Sequence, residues 1–149
     1  MEKKGLDEQG IMDSLRDVID GGSAVIERTV EILKTVPHYT WVGIYMLEED
    51  DLVLRYYIGR PTEHVRIKVG QGICGAAVLD EHTIIVPNVC DDDRYIACSR
   101  ETKSEIVVPI WSGGRIIGEI DIDSDLSDAF NKDDKKLLER VAMVLGDVL

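Results

Sequence analysis

A chain of 149 residues with 44% hydrophobic and 31% charged residues can bury the core of one domain without a disulfide or a metal ion, so we predict a single domain over residues 1–149. The net charge of −12 argues against nucleic acid, whose phosphates need a basic surface, and against an anionic membrane surface. No apolar run reaches the ~18 residues of a membrane span, and the start of the chain lacks the apolar core of a signal peptide, so we expect a cytoplasmic protein.

The N-terminal part of the chain, over about residues 8–36, is predicted to form two helices. Ile11, Leu15 and Val18 are spaced by four and then three positions, which places them on one apolar stripe of a helix. A second apolar helix follows, with Ser23 as its expected N-terminal cap. The apolar faces of this helix pair suggest a homodimer.

The sheet and pocket are predicted over about residues 39–125, where the apolar period changes to two. The six expected strands cover residues 39–47, 52–58, 64–69, 83–86, 106–111 and 116–123. A short helix over residues 73–79 interrupts them, and a helix over about residues 131–148, capped by Asn131, ends the pattern. Because hairpins dominate, we predict an α+β fold with a mainly antiparallel six-stranded sheet, terminal helices on one face and a loop-built pocket on the other.

A polar loop of about fifteen residues precedes the fifth strand and contains Cys90 and Cys98. Loops of that length are uncommon in a small domain and are more often functional than idle when they are ordered. Arg94 and Arg100 favour a reactive thiolate at Cys98, whereas a run of three aspartates nearby opposes it. The alternative for any cysteine is a small buried hydrophobe, and this fits Cys74 well because alanines and glycines surround it.

Carboxylates and aromatics occupy shared strand faces. Asp121 and Asp123 alternate on the last strand and therefore face the same side, near Glu105 at the head of the neighbouring strand. Repulsion among three crowded carboxyls would raise the pKa of one of them and keep it protonated. Such a cluster suits both binding an amino group and donating a proton. The alternative is a solvated strand face. Trp41 and Tyr45 also share a face, either as pocket walls or as core aromatics.

No metal or cofactor is predicted. The three histidines and the two loop cysteines do not reproduce a zinc spacing such as C-x2-C. Glycines 70, 72 and 75 resemble a dinucleotide-binding string, but that string needs a βαβ unit, and the predicted hairpins exclude one.

Five sequence blocks, taken in order, resemble the free methionine-(R)-sulfoxide reductases, which are GAF domain proteins. The blocks are T-W-V-G-I-Y, V-G-Q-G-I-C-G-A-A-V, Y-I-A-C-S, S-E-I-V-V-P-I and I-G-E-I-D-I-D-S, and the resemblance covers about residues 23–148. It implies a GAF fold and the reduction of free L-methionine (R)-S-oxide to L-methionine. It also implies a nucleophilic Cys98, a redox-active Cys74, and a substrate site formed by Trp41, Tyr45, Glu105, Asp121 and Asp123.

Such a reaction needs a thiolate to attack sulfur and an acid to help the oxygen leave as water. A second thiol then converts the resulting sulfenic acid to a disulfide, which a thioredoxin-type dithiol would reduce. The family commonly has a further cysteine ten positions before Cys74, where this chain has His64, so the resolving thiol is either Cys74 or Cys90. Two other functions stay open: a GAF sensor of a small ligand, and a redox sensor that uses Cys90 and Cys98.

Overall fold

The computed structural model describes residues 5–95 and 100–149. Its helices are α1 (Glu8–Gly21), α2 (Val25–Lys34), α3 (Gly72–Asp80) and α4 (Lys132–Val148). Its strands are β1 (Trp41–Glu48), β2 (Asp51–Ile58), β3 (Arg66–Lys68), β4 (Ile84–Val86), β5 (Ser104–Ser112) and β6 (Arg115–Ser124). A turn of 3-10 helix (Val89–Asp91) follows β4. The six strands and the α+β class agree with the prediction. In the described part of the chain, no helix is both long and apolar enough to cross a membrane.

The strands form one sheet in the order β3-β2-β1-β6-β5-β4. The five strand pairings within the described ranges are all antiparallel, which confirms the predicted sheet. The central strand β6 pairs with β1 on one side and with β5 on the other. Asp123 therefore lies directly between Trp41 of β1 and Glu105 of β5, and residues that are far apart in sequence share one face of the sheet.

The two faces of the sheet carry different side chains because successive residues of a strand point to opposite sides. Ile120 and Ile122 of β6 are fully buried in the larger core, together with apolar residues of α1, α2 and α4. Val107 of β5 packs on the opposite face with Ala77 and its neighbours on α3. The terminal helices thus cover one face, and the other is left for a pocket, as the sequence predicted.

One helix cap agrees with the prediction and the other does not. Asn131 caps α4, since its side chain accepts hydrogen bonds from the first-turn N–H groups. Ser23 does not cap α2, because α1 continues to Gly21 and ends at Gly22 with a left-handed φ of 67°. The cap position of α2 consequently falls on Ala24, which has a φ of 51° and no side-chain cap bond.

A buried polar network ties the start of α4 to the segment before β1. The Oδ1 atom of Asp134 lies 2.8 Å from Nε2 of His38 and accepts a hydrogen bond of 2.8 Å from the Tyr39 hydroxyl. All three side chains are fully buried. Burial alone would raise the pKa of Asp134, but the hydrogen bonds from His38, from the backbone N–H of Asn131 and from Tyr39 outweigh it and lower the pKa to about 2.

We expect Asp134→Ala to lower the free energy of unfolding at pH 7 by about 3 kcal/mol, because buried donors lose their acceptor. The folded pKa of about 2 lies below the ordinary value of 3.8, so about 2 kcal/mol of this stability is present above pH ~4 and is lost as the pH falls through ~2. Urea unfolding of both proteins between pH 7 and pH 2 measures the difference. The control is Asp133→Ala, an exposed carboxylate in the same turn, expected to cost less than about 1 kcal/mol. Equal losses in the two variants would contradict this role of Asp134.

Candidate active site

A cavity with about 410 Å³ of empty space, part of it open to solvent, lies on the sheet face opposite the terminal helices. It brings together the five residues that the resemblance assigns to substrate and Cys74, one of the two cysteines that the structure describes. Its lining residues are Trp41, Tyr45, Thr62, His64, Ile67, Ile73, Cys74, Tyr95, Glu105, Asp121 and Asp123. Four strands (β1, β3, β5 and β6) and α3 therefore contribute side chains to this cavity.

The carboxyl cluster of the cavity consists of Glu105, Asp121 and Asp123. Only 4–5% of the surface of each residue is exposed. Asp121 and Asp123 share a face because they are two positions apart on β6, and the β5–β6 register sets Glu105 opposite Asp123. Oδ1 of Asp121 has no hydrogen-bond partner among the described residues. The cluster is thus a buried, acidic surface that can accept further hydrogen bonds from a ligand.

Burial and mutual repulsion raise the pKa values of this cluster. Burial raises the pKa of Glu105 well above its ordinary value, and the charges of Asp121 and Asp123 raise it further. Burial also raises the pKa of Asp121, although hydrogen bonds with Glu105 and Cys74 oppose the shift. A carboxyl that is still protonated near neutral pH can donate a proton, as general acid catalysis requires.

Glu119 is a fourth buried carboxyl that sequence reasoning missed. It lies two positions before Asp121 on the same face of β6 and is fully buried, and neither carboxyl oxygen has a nitrogen or oxygen hydrogen-bond partner in the described ranges, so the Cys74 thiol is its polar neighbour. Burial raises its pKa well above the ordinary value, and the charge of Asp121 adds to the shift, while the Cys74 thiol opposes it. The signal in the sequence was the continuation of the Asp121–Asp123 alternation by one more step.

Two glycines fix the indole of Trp41 as one wall of the cavity. Gly59 has a φ of 145°, and a Cβ atom there would lie 2.5 Å from Cδ1 of Trp41. The indole Nε1–H donates a hydrogen bond of 3.0 Å to the carbonyl oxygen of Arg60. The ring also stacks on Tyr57 with 5.4 Å between ring centroids. Gly43, which lies on β1 like Trp41, has no Cβ atom and so leaves room for the same indole. This wall is therefore held in one orientation.

Tyr45 and Cys74 line the inner part of the cavity. The Tyr45 hydroxyl donates a hydrogen bond of 2.7 Å to the carbonyl oxygen of His64, which ties β1 to the segment before β3. Burial raises the pKa of the Cys74 thiol well above its ordinary value, and the nearby charges of Asp121 and Glu119 raise it further. Cys74 is thus held as a thiol, so it is poorly suited to be the first nucleophile.

Comparison with known proteins identifies the family. The model of the GAF domain family matches residues 22–149. The free methionine-R-sulfoxide reductase of Escherichia coli is 39% identical over 109 residues, covering 73% of this chain and 66% of that protein. The chain also resembles the structure of type II free methionine-R-sulfoxide reductase from Thermoplasma acidophilum, with 38% identity, a TM-score of 0.82 and coverage of 89% of this chain and 94% of that one. The chain belongs to the free methionine-R-sulfoxide reductase family of GAF domains.

A second similar structure within this GAF family is a complex with substrate. The substrate complex of the Staphylococcus aureus protein named fRMsr has a TM-score of 0.91 and 31% identity to this chain, covering 100% of this chain and 99% of that one. The likeness therefore extends over the whole sheet and all the elements that form the cavity.

Of the other two cysteines of this GAF domain, the structure describes one. Cys90 lies on the 3-10 turn after β4, is exposed, and is not among the cavity-lining residues. Cys98, the predicted nucleophile, lies outside the described residues. Arg94, which was expected to favour its thiolate, forms a two-pronged ion pair with Asp92, with distances of 2.9 and 2.7 Å. Much of the positive charge of Arg94 is thereby compensated.

Proposed function

We propose that the protein reduces free L-methionine (R)-S-oxide to L-methionine. The observation that carries the proposal is the buried carboxyl cluster of Glu105, Asp121 and Asp123, which faces a cavity whose described lining contains no lysine or arginine. Such a site selects a small ligand with a positive charge. The names of the related reductases and the substrate complex of the Staphylococcus aureus relative support methionine sulfoxide as that ligand.

The proposed orientation of the substrate follows from the chemistry of the two walls. Its ammonium group donates charge-assisted hydrogen bonds to Asp121 and Asp123, while Trp41 and Tyr45 contact the apolar end near the sulfur. A methionine sulfoxide within a polypeptide has no ammonium group, so the acidic wall would have nothing to bind. This is why the free amino acid, rather than a protein-bound residue, is the proposed substrate.

In the proposed reaction the Cys98 thiolate attacks the sulfur of the sulfoxide. A protonated carboxyl of the cluster, Glu105 or a neighbouring aspartic acid, protonates the sulfoxide oxygen as the S–O bond breaks. After a second protonation the oxygen leaves as water, and an S–S bond links Cys98 to the substrate sulfur, which is now a sulfonium. Water then attacks the Cys98 sulfur and returns a proton to the cluster, while the S–S bond breaks with its electron pair on the substrate sulfur, which becomes the thioether of methionine. The Cys98 sulfur has thereby lost two electrons and is a sulfenic acid, Cys–S–OH. Attack by a second thiol then forms a disulfide and releases water.

Cys74 is the better supported resolving thiol, because it lines the cavity whereas Cys90 is exposed outside it. A thioredoxin-type dithiol would then reduce the disulfide.

With thioredoxin as the reductant, we expect Cys74→Ser to stop multiple turnover and Cys90→Ser to retain it. The reverse pattern would assign the resolving role to Cys90. Dithiothreitol should restore turnover to the affected variant, because a small thiol can reduce the sulfenic acid directly.

The proposed setting is the cytoplasm, with the protein as a homodimer. The apolar stripe of α1, which suggested a dimer, is buried within the chain's own core, where Leu15 is 1% exposed. A dimer would therefore have to use another surface. Sedimentation of the purified protein at the mass of one chain would exclude the homodimer.

The function is tested by incubating the reduced protein with dithiothreitol and each epimer of free methionine sulfoxide, and by quantifying methionine. We expect methionine from the R epimer and little from the S epimer. N-acetylmethionine (R)-sulfoxide, which lacks the ammonium group, should react far more slowly. A folded, reduced protein that gives no methionine from the R epimer would overturn the proposal and leave a GAF ligand sensor as the better explanation of the cavity.

A further inference from the structure

Three potential metal ligands meet in the wall of the cavity. One atom each from Cys74, Glu105 and Asp121 lies within 4.8 Å of the other two, and all three residues are buried. Around a tetrahedral zinc ion, ligand atoms bonded at about 2.0–2.3 Å lie roughly 3.3–3.8 Å apart. A spacing of at most 4.8 Å is compatible with such a site, and small side-chain rotations suffice to bring the three atoms to bonding distance. We propose that these three residues bind Zn²⁺.

A second observation points to a cation at this place. Oδ1 of Asp121 is buried in the cavity wall and has no hydrogen-bond partner among the described residues. Glu119 is fully buried next to Asp121 and the Cys74 thiol, and neither of its carboxyl oxygens has a nitrogen or oxygen partner in the same ranges. Burying unpartnered acidic oxygens is costly unless a proton or a cation compensates them. A divalent ion compensates more of this charge than a single proton can.

The donor set selects zinc over other common divalent ions. A thiolate and two carboxylates from α3, β5 and β6 supply three ligands, and the open cavity leaves a fourth position for water. Three protein ligands and one exchangeable position are typical of accessible zinc sites. Magnesium and calcium prefer six or more oxygen ligands and gain little from a thiolate. The site would thus take a thiophilic ion in place of the protons.

Zinc in this position would compete with the substrate. In the proposed function, the ammonium group of methionine sulfoxide needs Asp121 and its neighbours, and disulfide formation needs a free Cys74. An ion held by Asp121 and Cys74 removes both. Only this competition rests on the proposed reductase activity; zinc binding itself does not.

The test uses the full chain with Cys90 and Cys98 both replaced by serine, so that Cys74 is the sole cysteine. The reduced, chelator-treated protein is titrated with Zn²⁺ against a chromophoric chelator. One ion per chain is expected. Adding Cys74→Ser or Asp121→Asn should weaken binding at least tenfold, whereas Glu31→Gln, an exposed carboxylate on α2, should not change it. Equal binding in the Cys74→Ser protein, or no binding in the parent, would overturn the proposal.

Cobalt gives an independent spectroscopic readout. Co²⁺ bound to a thiolate has an intense sulfur-to-cobalt charge-transfer absorption, which is expected in the protein with Cys74 alone and absent after Cys74→Ser. Its absence from the parent at saturating Co²⁺ would exclude Cys74 as a ligand. Methionine (R)-sulfoxide should displace the ion. Zinc binding without reductase activity would reject only the proposed function, and turnover without zinc binding would reject only this inference.

Discussion

Cys98→Ser is expected to lower the turnover of free methionine (R)-sulfoxide at least about 10³-fold, because removing a covalent nucleophile commonly costs this much or more. A serine hydroxyl stays protonated at neutral pH and cannot take the place of a thiolate at sulfur. The measurement is the initial rate of methionine formation with dithiothreitol as the reductant. This reductant makes the result independent of which thiol resolves the sulfenic acid.

Two controls separate lost chemistry from lost structure in this variant. Cys98→Ser should still bind the substrate, which calorimetry measures directly, because the carboxyl cluster and Trp41 are unchanged. Conversely, a chain with Cys74→Ser and Cys90→Ser should form a sulfenic acid at Cys98 on a single exposure to substrate, which dimedone traps for mass spectrometry. A Cys98→Ser protein that keeps more than a tenth of the wild-type rate would show that another cysteine is the nucleophile.

The strand face of the site could be predicted because it depends on local rules. Alternation along one strand places Asp121 and Asp123 on the same side whatever the rest of the chain does. The hairpin that joins β5 to β6 has a tight turn at Gly113 and Gly114, which predicts that the two strands pair. Counting from this turn would set Glu105 opposite Ile122, but the register shifts by one residue between Ile110 and Trp111 and sets it opposite Asp123, which counting alone could not predict.

Other features of the site could not be predicted because they depend on tertiary packing. Whether Cys74 or Cys90 reaches the cavity depends on how α3 and the loop after β4 pack, which has no local signal. Glu119 looked like an ordinary polar residue of a strand until β1, β5 and α3 had covered it. The contact between His38 and Asp134 joins residues 96 positions apart, and neither residue type predicts the other.

Replacing a carboxyl of the cluster is expected to weaken substrate binding and to increase the stability of the folded protein. Asp121→Asn is expected to raise the KM for methionine (R)-sulfoxide about ten- to a hundredfold, because one charge-assisted hydrogen bond to the ammonium group is worth about 1.5–3 kcal/mol. The same change should stabilise the folded protein at neutral pH. The pKa of Asp121 is raised in the folded state, so its contribution to stability is fully present below the unfolded pKa of about 3.8 and is lost as the pH rises through the folded value. Asparagine avoids that loss.

Glu119→Gln provides a matched control for this prediction, since Glu119 is also buried on the same face of β6 but does not line the cavity. Its pKa is raised as well, so glutamine should likewise increase stability as the pH rises, while the KM changes less than about threefold. Urea unfolding between pH 4 and pH 9 and steady-state kinetics on both variants make the comparison.

If both substitutions raised the KM equally, the acidic wall would act through general electrostatics rather than by direct contact. If Asp121→Asn destabilised the protein at neutral pH, the hydrogen bonds of Asp121 with Glu105 and Cys74 would outweigh the cost of burying its carboxyl. The buried carboxyls that the proposed function requires therefore lower the stability of the folded protein. That cost would explain why they are concentrated at the cavity.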